Sequence, residues 1–188
     1  YYLVDFDMAG GYGSEPVYTR YGMAVGVNVP IRHGYIFDGW DTKADGSGTD
    51  YANQQSVKNL TTTNGATINL YAKWKPITYT INFNGNGSTG GSTAQMTMTY
   101  DVAKKLTANG FTKTGYYFSG WNTKADGSGT SYYNQQNVKN LTTTNGATIT
   151  LYAQWSTNSY TIAFDGNGNT GGTTSSMTMK FDQTKNLT

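Results

Sequence analysis

The 188-residue chain has no cysteine, which excludes disulfides, thiolate metal sites and a cysteine nucleophile. It has one histidine, His33, and one glutamate, Glu15, so the usual acids and bases of catalysis are scarce. Charged residues make up 13% of the chain, against an ordinary share of about 25%. The 13 lysines and arginines are scattered and the net charge is only +2, which leaves no electrostatic case for nucleic acid or an anionic membrane as partner. Runs of 18 to 20 apolar residues are absent too, so no membrane insertion is expected of this segment.

Gly, Thr, Asn and Tyr take the place of the missing charge, with 24 glycines and 16 tyrosines. That is the palette of a β-rich protein full of tight turns. The chain also repeats itself. Trp40 to Trp74 and Trp121 to Trp155 are 35-residue stretches that differ at six positions, with a period of 81 residues. A period this long points to an array of small domains. The expected organisation is a first repeat over 1–74, a connector at 75–78, a second repeat over 79–155, a connector at 156–159, and an incomplete third repeat, an opening hairpin, over 160–188. Connectors of four residues are too short to be floppy tethers, so adjacent repeats should touch. The chain opens without Met and stops in mid-repeat, as expected of a piece of something longer.

Strict alternation marks the first strand of each repeat: Tyr79, Ile81, Phe83, again Tyr160, Ile162, Phe164, and less regularly Tyr2, Val4, Phe6. Each is followed by a Gly-rich turn and a second alternating run, so each repeat should begin with a hairpin. After Tyr100, Asp101 is placed to cap one or two helical turns carrying Val102 and Leu106, with Gly110 as the stop. The same place in the first repeat, MAVGVNVPIRH, is shorter and carries a Pro, so an irregular connection is expected there. Tyr35 to Trp40 and Tyr116 to Trp121 read as a third strand. The segment YYNQQNVKNL suits either an extended edge or a short helix. Ile149, Leu151, Ala153 and Trp155 mark one face of the clearest strand.

The repeat is a test for chemistry. His33 becomes Thr114, so a repeated activity cannot depend on it. Asp41 becomes Asn122 and Asp50 becomes Ser131, which dissolves any repeated pair of acids. NGNGSTGG lacks the Lys-Ser/Thr of a phosphate loop and leads into a strand. Asp165, Asn167 and Asn169 have the spacing of a calcium loop but no acid at its far end, and these residues, like Asp45 to Gly48 and Asp126 to Gly129, read first as turns. Lys58 and Lys139 recur in polar surroundings and read as solvated rather than as isopeptide donors. The four tryptophans read as core. Tyr132, Tyr133 and Tyr152 are the candidates for a ligand-facing group. No catalytic, cofactor or metal residue is assigned.

The pattern YTINF, Gly-rich turn, MTY, KTGYYFSGWNT, VxNLT, TLYAQW resembles the Listeria-Bacteroides repeat, with KTGYYFSGW and LYAQW about 30 residues apart. The match covers nearly all of Tyr79 to Trp155, most of Tyr35 to Trp74 and the opening hairpins. The loop from Thr123 to Asn145 is longer than in the listerial repeats. The resemblance implies a small ubiquitin-like β-grasp module, a β-rich α+β fold repeated in a rod-like array on prokaryotic cell-surface or secreted proteins. The expected role is a non-catalytic stalk or spacer of an adhesin-like protein, its partners the neighbouring repeats. The alternatives are a module that binds a surface glycan or host protein through exposed tyrosines, and a filament subunit that self-associates through the incomplete third repeat.

Overall fold

The computed structural model describes residues 1–13, 15–25 and 29–187. Part of the connection expected to be irregular, residues 26–28, lies outside them. The first repeat forms a five-stranded sheet from β1 (Tyr2–Asp7), β2 (Val17–Thr19), β3 (Tyr35–Asp41), β4 (Asp50–Tyr51) and β5 (Thr67–Pro76), in the order β2-β1-β5-β3-β4. β1 runs parallel to β5, with Leu3 opposite Thr67 and Asp7 opposite Tyr71, while the other pairings are antiparallel.

The second repeat reproduces this plan. Its strands are β6 (Thr78–Asn84), β7 (Gly90–Gly91), β8 (Met96–Thr99), β9 (Lys104–Lys105), β10 (Phe111–Thr112), β11 (Tyr116–Asn122), β12 (Ser131–Tyr132), β13 (Asn137–Val138) and β14 (Thr148–Thr157). The five-stranded sheet is β8-β6-β14-β11-β12, again with one parallel pairing, β6 to β14. Two short ladders, β7 with β10 and β9 with β13, lie beside it. The third copy contributes only the hairpin of β15 (Ser159–Ile162) and β16 (Met177–Lys180).

The β-rich α+β, β-grasp-like fold expected from the resemblance does not form. Every regular element among the described residues is a strand, and the sheets are open. The helix expected after Asp101 fails because Asp101 adopts φ +61° and turns the chain. The segment then runs extended, and Lys104 and Lys105 pair with Val138 and Asn137. Instead of sharing a helical face, Leu106 is buried and Val102 is exposed. The segment YYNQQNVKNL is likewise not helical, its regular parts being the strand ends at Ser131–Tyr132 and Asn137–Val138.

Each long antiparallel pair carries a bulge that decides the core. Between β3 and β5 the register shifts from Phe37 to Trp40, and between β11 and β14 from Phe118 to Gly120. Gly39 sits in the first bulge at φ +105°, where a Cβ would meet the Tyr51 carbonyl oxygen. The shift breaks the alternation, so that Gly39, Trp40 and Asp41 are buried in succession, as are Gly120, Trp121 and Asn122.

The chain divides into two compact units, one of 1–79, 98–102 and 139–147, the other of 80–97, 103–138 and 148–188. In the first, Trp40 packs on Phe6 and Phe37 at centroid distances of 4.9 and 5.1 Å, over Tyr2, Val4, Leu70 and Ala72. In the second, Trp121 packs on Phe83 and Phe118 at 4.7 and 4.9 Å. Trp74 and Trp155 are only partly buried, and each indole N–H donates to a carbonyl, of Met8 and Gly85 respectively. Trp121→Ala should lower the unfolding free energy by about 3–5 kcal/mol, and Trp155→Ala by clearly less, measured by urea denaturation.

Candidate functional site

The most elaborate arrangement of polar and aromatic groups is a junction that occurs once in each unit, built from residues exactly one period apart. It starts at a turn. In Arg32-His33-Gly34-Tyr35 the Tyr35 N–H donates to the Arg32 carbonyl at 3.1 Å, and Gly34 at φ +79° supplies the positive angle a type II turn needs at its third residue. Lys113 to Tyr116 repeats it, with Gly115 at φ +78°. His33 is therefore the second residue of a turn, its ring 6.1 Å from that of Tyr12.

Over each turn glycine lies an aromatic ring from the hairpin of the next repeat. A Cβ on Gly34 would run into the Tyr100 ring, and one on Gly115 into Phe181. Tyr35 meets Tyr100 edge-on at 5.7 Å, and Tyr116 meets Phe181 at the same distance. A cation closes the other side, with the Arg32 guanidinium 3.9 Å from the Tyr35 ring centroid and the Lys113 ammonium 4.7 Å from that of Tyr116.

One connector residue ties each turn to the hairpin. The Ile77 N–H donates to the Gly34 carbonyl, and the Tyr100 N–H donates to the Ile77 carbonyl, both at 3.0 Å. Asn158 does the same between Gly115 and Phe181, at 2.9 Å each. The contact is backbone-made, which explains why a buried Ile77 and an exposed Asn158 serve equally.

The aromatic residue is followed by an aspartate held at positive φ, Asp101 at +61° and Asp182 at +59°. The Tyr35 hydroxyl donates to Asp101 Oδ2 at 2.7 Å, and the Tyr116 hydroxyl to Asp182 Oδ2 at 3.4 Å. Asn140 grips Asp101 twice, accepting its N–H and donating to Oδ1, both at 2.7 Å. The Asn140 hydrogen bond first, and the Tyr35 hydroxyl second, hold the Asp101 carboxyl below its ordinary 3.8. The same contact with Asp101 pushes the Tyr35 phenol above its ordinary 10.0. In the first repeat the Gly22 N–H donates to Asn59 in the way that Asp101 does to Asn140. Tyr21 therefore stands where Tyr100 stands, with its ring largely exposed.

Apart from His33, set aside as a lone histidine, the junction residues carry no chemical motif in the sequence. The signal was present as Gly-Tyr and as aromatic-Asp, each recurring at the 81-residue offset. Of the three tyrosines that were singled out, Tyr132 and Tyr133 line one open pocket of about 310 Å³ with Trp121, Ser131, Gln136 and Gln154. Tyr133 is 80% exposed. Tyr152 lies half-buried on β14, outside that pocket. The Gly-rich segments form turns: the Asp45, Asp126 and Asp165 side chains accept backbone N–H groups two residues on, from Ser47, Ser128 and Asn167. Those bonds lower the Asp45 and Asp126 pKa values from the usual carboxylate range. Among the described residues no three His, Cys, Asp or Glu side chains cluster as metal ligands, and no helix is long and apolar enough to cross a membrane.

Gly34→Ala forces both a positive φ and a clash with Tyr100, and should cost about 1–3 kcal/mol in thermal or urea unfolding. Replacing Tyr35 by Phe isolates the hydroxyl contact. Because Asp101 is depressed, its stabilisation is whole above the ordinary carboxylate pKa and is lost as pH falls through the lower folded value. Because Tyr35 is raised, its share is whole below pH 10 and is lost as pH rises through the higher folded value. The difference in Tm between the unchanged chain and Tyr35→Phe should be flat from roughly pH 5 to 9 and shrink on both sides.

The same repeat is found in other proteins. A protein of Evansella cellulosilytica named "Putative Gly-rich membrane protein" is 36% identical over 140 residues, 73% of this chain and 16% of its own length. A second from that organism, named "Putative membrane protein", is 28% identical over 162 residues, 84% of this chain and 22% of its own. The chain thus spans less than a quarter of either relative. No solved structure matches. The model of the Listeria-Bacteroides repeat domain matches residues 2–73 and again 79–154; with most of its length so matched, the chain belongs to the Listeria-Bacteroides repeat family.

Proposed function

We propose that the chain is part of a non-catalytic stalk in a prokaryotic cell-surface or secreted, adhesin-like protein. The observation that carries this reading is the junction, which recurs with the same partners although its side chains vary, Tyr100 to Phe181 and Ile77 to Asn158. A spacer needs each module to hold the next, and a connector residue bonded on both sides does that. The exposed Tyr21 is the half of this junction on which the Gly-Tyr turn of a further, preceding module would seat. The relatives' names, both of membrane proteins, support a place at the cell envelope. The drift of titratable residues between copies supports a role without catalysis.

The chain lacks cysteine, so spin labels can be placed cleanly on Lys58→Cys and Lys124→Cys, exposed residues one in each unit. A stalk requires a narrow distance distribution that broadens with Gly34→Ala. A broad distribution in the parent chain, as for a flexible tether, would sink the reading.

A second reading, ligand binding, has one specific observation behind it. The pocket beside Tyr132 and Tyr133 measures about 310 Å³, and Tyr133, where the first repeat has Ala52, is largely exposed. Glycan-array binding that disappears with Tyr133→Ala would favour this reading over the stalk. The folded chain binding no glycan, with or without the change, would leave the pocket without a ligand of that class.

A further inference from the structure

Six positions separate the two 35-residue copies, and three of them, Asp41, Asp50 and Lys73, meet at a single loop; the second repeat has Asn122, Ser131 and Gln154 there. The two loops share one backbone scaffold. Asp41 Oδ1 accepts the N–H groups of Lys43 and Gly48, and Asn122 Oδ1 accepts those of Lys124 and Gly129, at 2.6 to 3.0 Å. With one side-chain atom pinned alike, the other occupies the same place in both loops.

In the second repeat that other atom is a nitrogen, and it faces only oxygens. Asn122 Nδ2 donates to the carbonyls of Gly127 and Gly129 at 3.1 and 3.2 Å and to Ser131 Oγ at 3.0 Å. In the first repeat the equivalent atom is an oxygen, Asp41 Oδ2. Asp41 is fully buried, and Oδ2 has no hydrogen-bond partner. Asp50 has taken the place of Ser131, so a second carboxylate lies within reach of the first. Lys73 answers part of this charge through Asp50 Oδ1 at 2.6 Å, from a partly exposed position, and makes no hydrogen bond to Asp41 Oδ2. A buried carboxylate oxygen with no donor to it and another carboxylate within reach requires positive charge at that point.

We propose that this loop binds a hard, oxygen-seeking divalent cation of the calcium class. Its ligands are Asp41 Oδ2, the Asp50 carboxylate and the Gly46 and Gly48 carbonyls, the equivalents of the oxygens that Asn122 Nδ2 bonds, with water completing the shell. Calcium accepts such a mixture of carboxylate and backbone oxygens, and exposed modules with few charged ligands bind it with Kd of about 10⁻⁴–10⁻³ M. The second repeat has an amide group in place of the cation and binds none.

The test is calorimetric titration of the whole chain with calcium chloride at pH 7 and fixed ionic strength, with Tm measured in calcium and in EDTA. One calcium per chain and a calcium-dependent rise in Tm are expected. The double variant Asp41→Asn, Asp50→Ser gives the first loop the side chains that already fold in the second, and it should weaken binding at least tenfold. Lys73→Gln should tighten binding by removing a competing charge. Binding that survives the double variant would place the ion elsewhere and overturn the proposal. Absence of calcium-dependent heat and of any Tm shift would overturn it too, and would assign the charge to a proton shared by the two carboxylates.

Discussion

The parallel pairing of the first strand with the long strand some 65 residues later is the constraint on which each repeat depends. The opening hairpin and the closing strands are otherwise two separate pieces, neither with enough apolar face to be stable alone. β1 against β5 joins them, and β6 against β14 does so again. The central strand is ten residues long in both cases, which lets one end carry the parallel partner and the other the antiparallel one. The bulge on the antiparallel side then aims a tryptophan at the phenylalanine of the opening strand, Trp40 at Phe6 and Trp121 at Phe83. Sheet continuity and core formation are thus the same event.

The hairpin of the third copy is described without that pairing. β15 and β16 pair with each other in full register, and among the described residues no long strand pairs with β15. What holds the hairpin is the junction: Phe181 over Gly115, Tyr116 against Phe181, and Asn158 bonded to both backbones. Met179 is buried, while Tyr160 is exposed. In the complete second repeat the matching Tyr79 is buried and its hydroxyl accepts the Leu141 N–H.

The strands and their tryptophans were legible because alternation of apolar residues is a local signal, whereas the bulges at Gly39 and Gly120, which break it, were not. The absence of a helix was not legible at Asp101. An aspartate before an apolar pair is a helix cap in one context and a left-handed turn residue in another, and the partner that grips Asp101, Asn140, lies 39 positions away. The family resemblance pointed the same wrong way, towards a β-grasp, because a shared pattern of strands and turns does not say whether the stretch between them coils. It is also why the junction was missed: each half is an unremarkable Gly-Tyr or aromatic-Asp pair, and only their meeting across about 65 residues makes a site.

The acidic loop shows the opposite lesson about repeats. Asp41 and Asp50 are replaced in the second copy, so the pair is not a repeated feature. That does not make the pair idle where it occurs. A buried carboxylate cannot drift to and from an amide freely, because its second oxygen is an acceptor where the amide has a donor. The neighbouring oxygens of Gly127, Gly129 and Ser131 suit the donor. That the partner positions changed together, Asp50 with Ser131 and Lys73 with Gln154, is what electrostatics demands of two loops that solve one backbone geometry with different charge. Persistence between copies marks what holds the module's shape, whereas coordinated difference at one buried point marks a place where one module does something its neighbour does not.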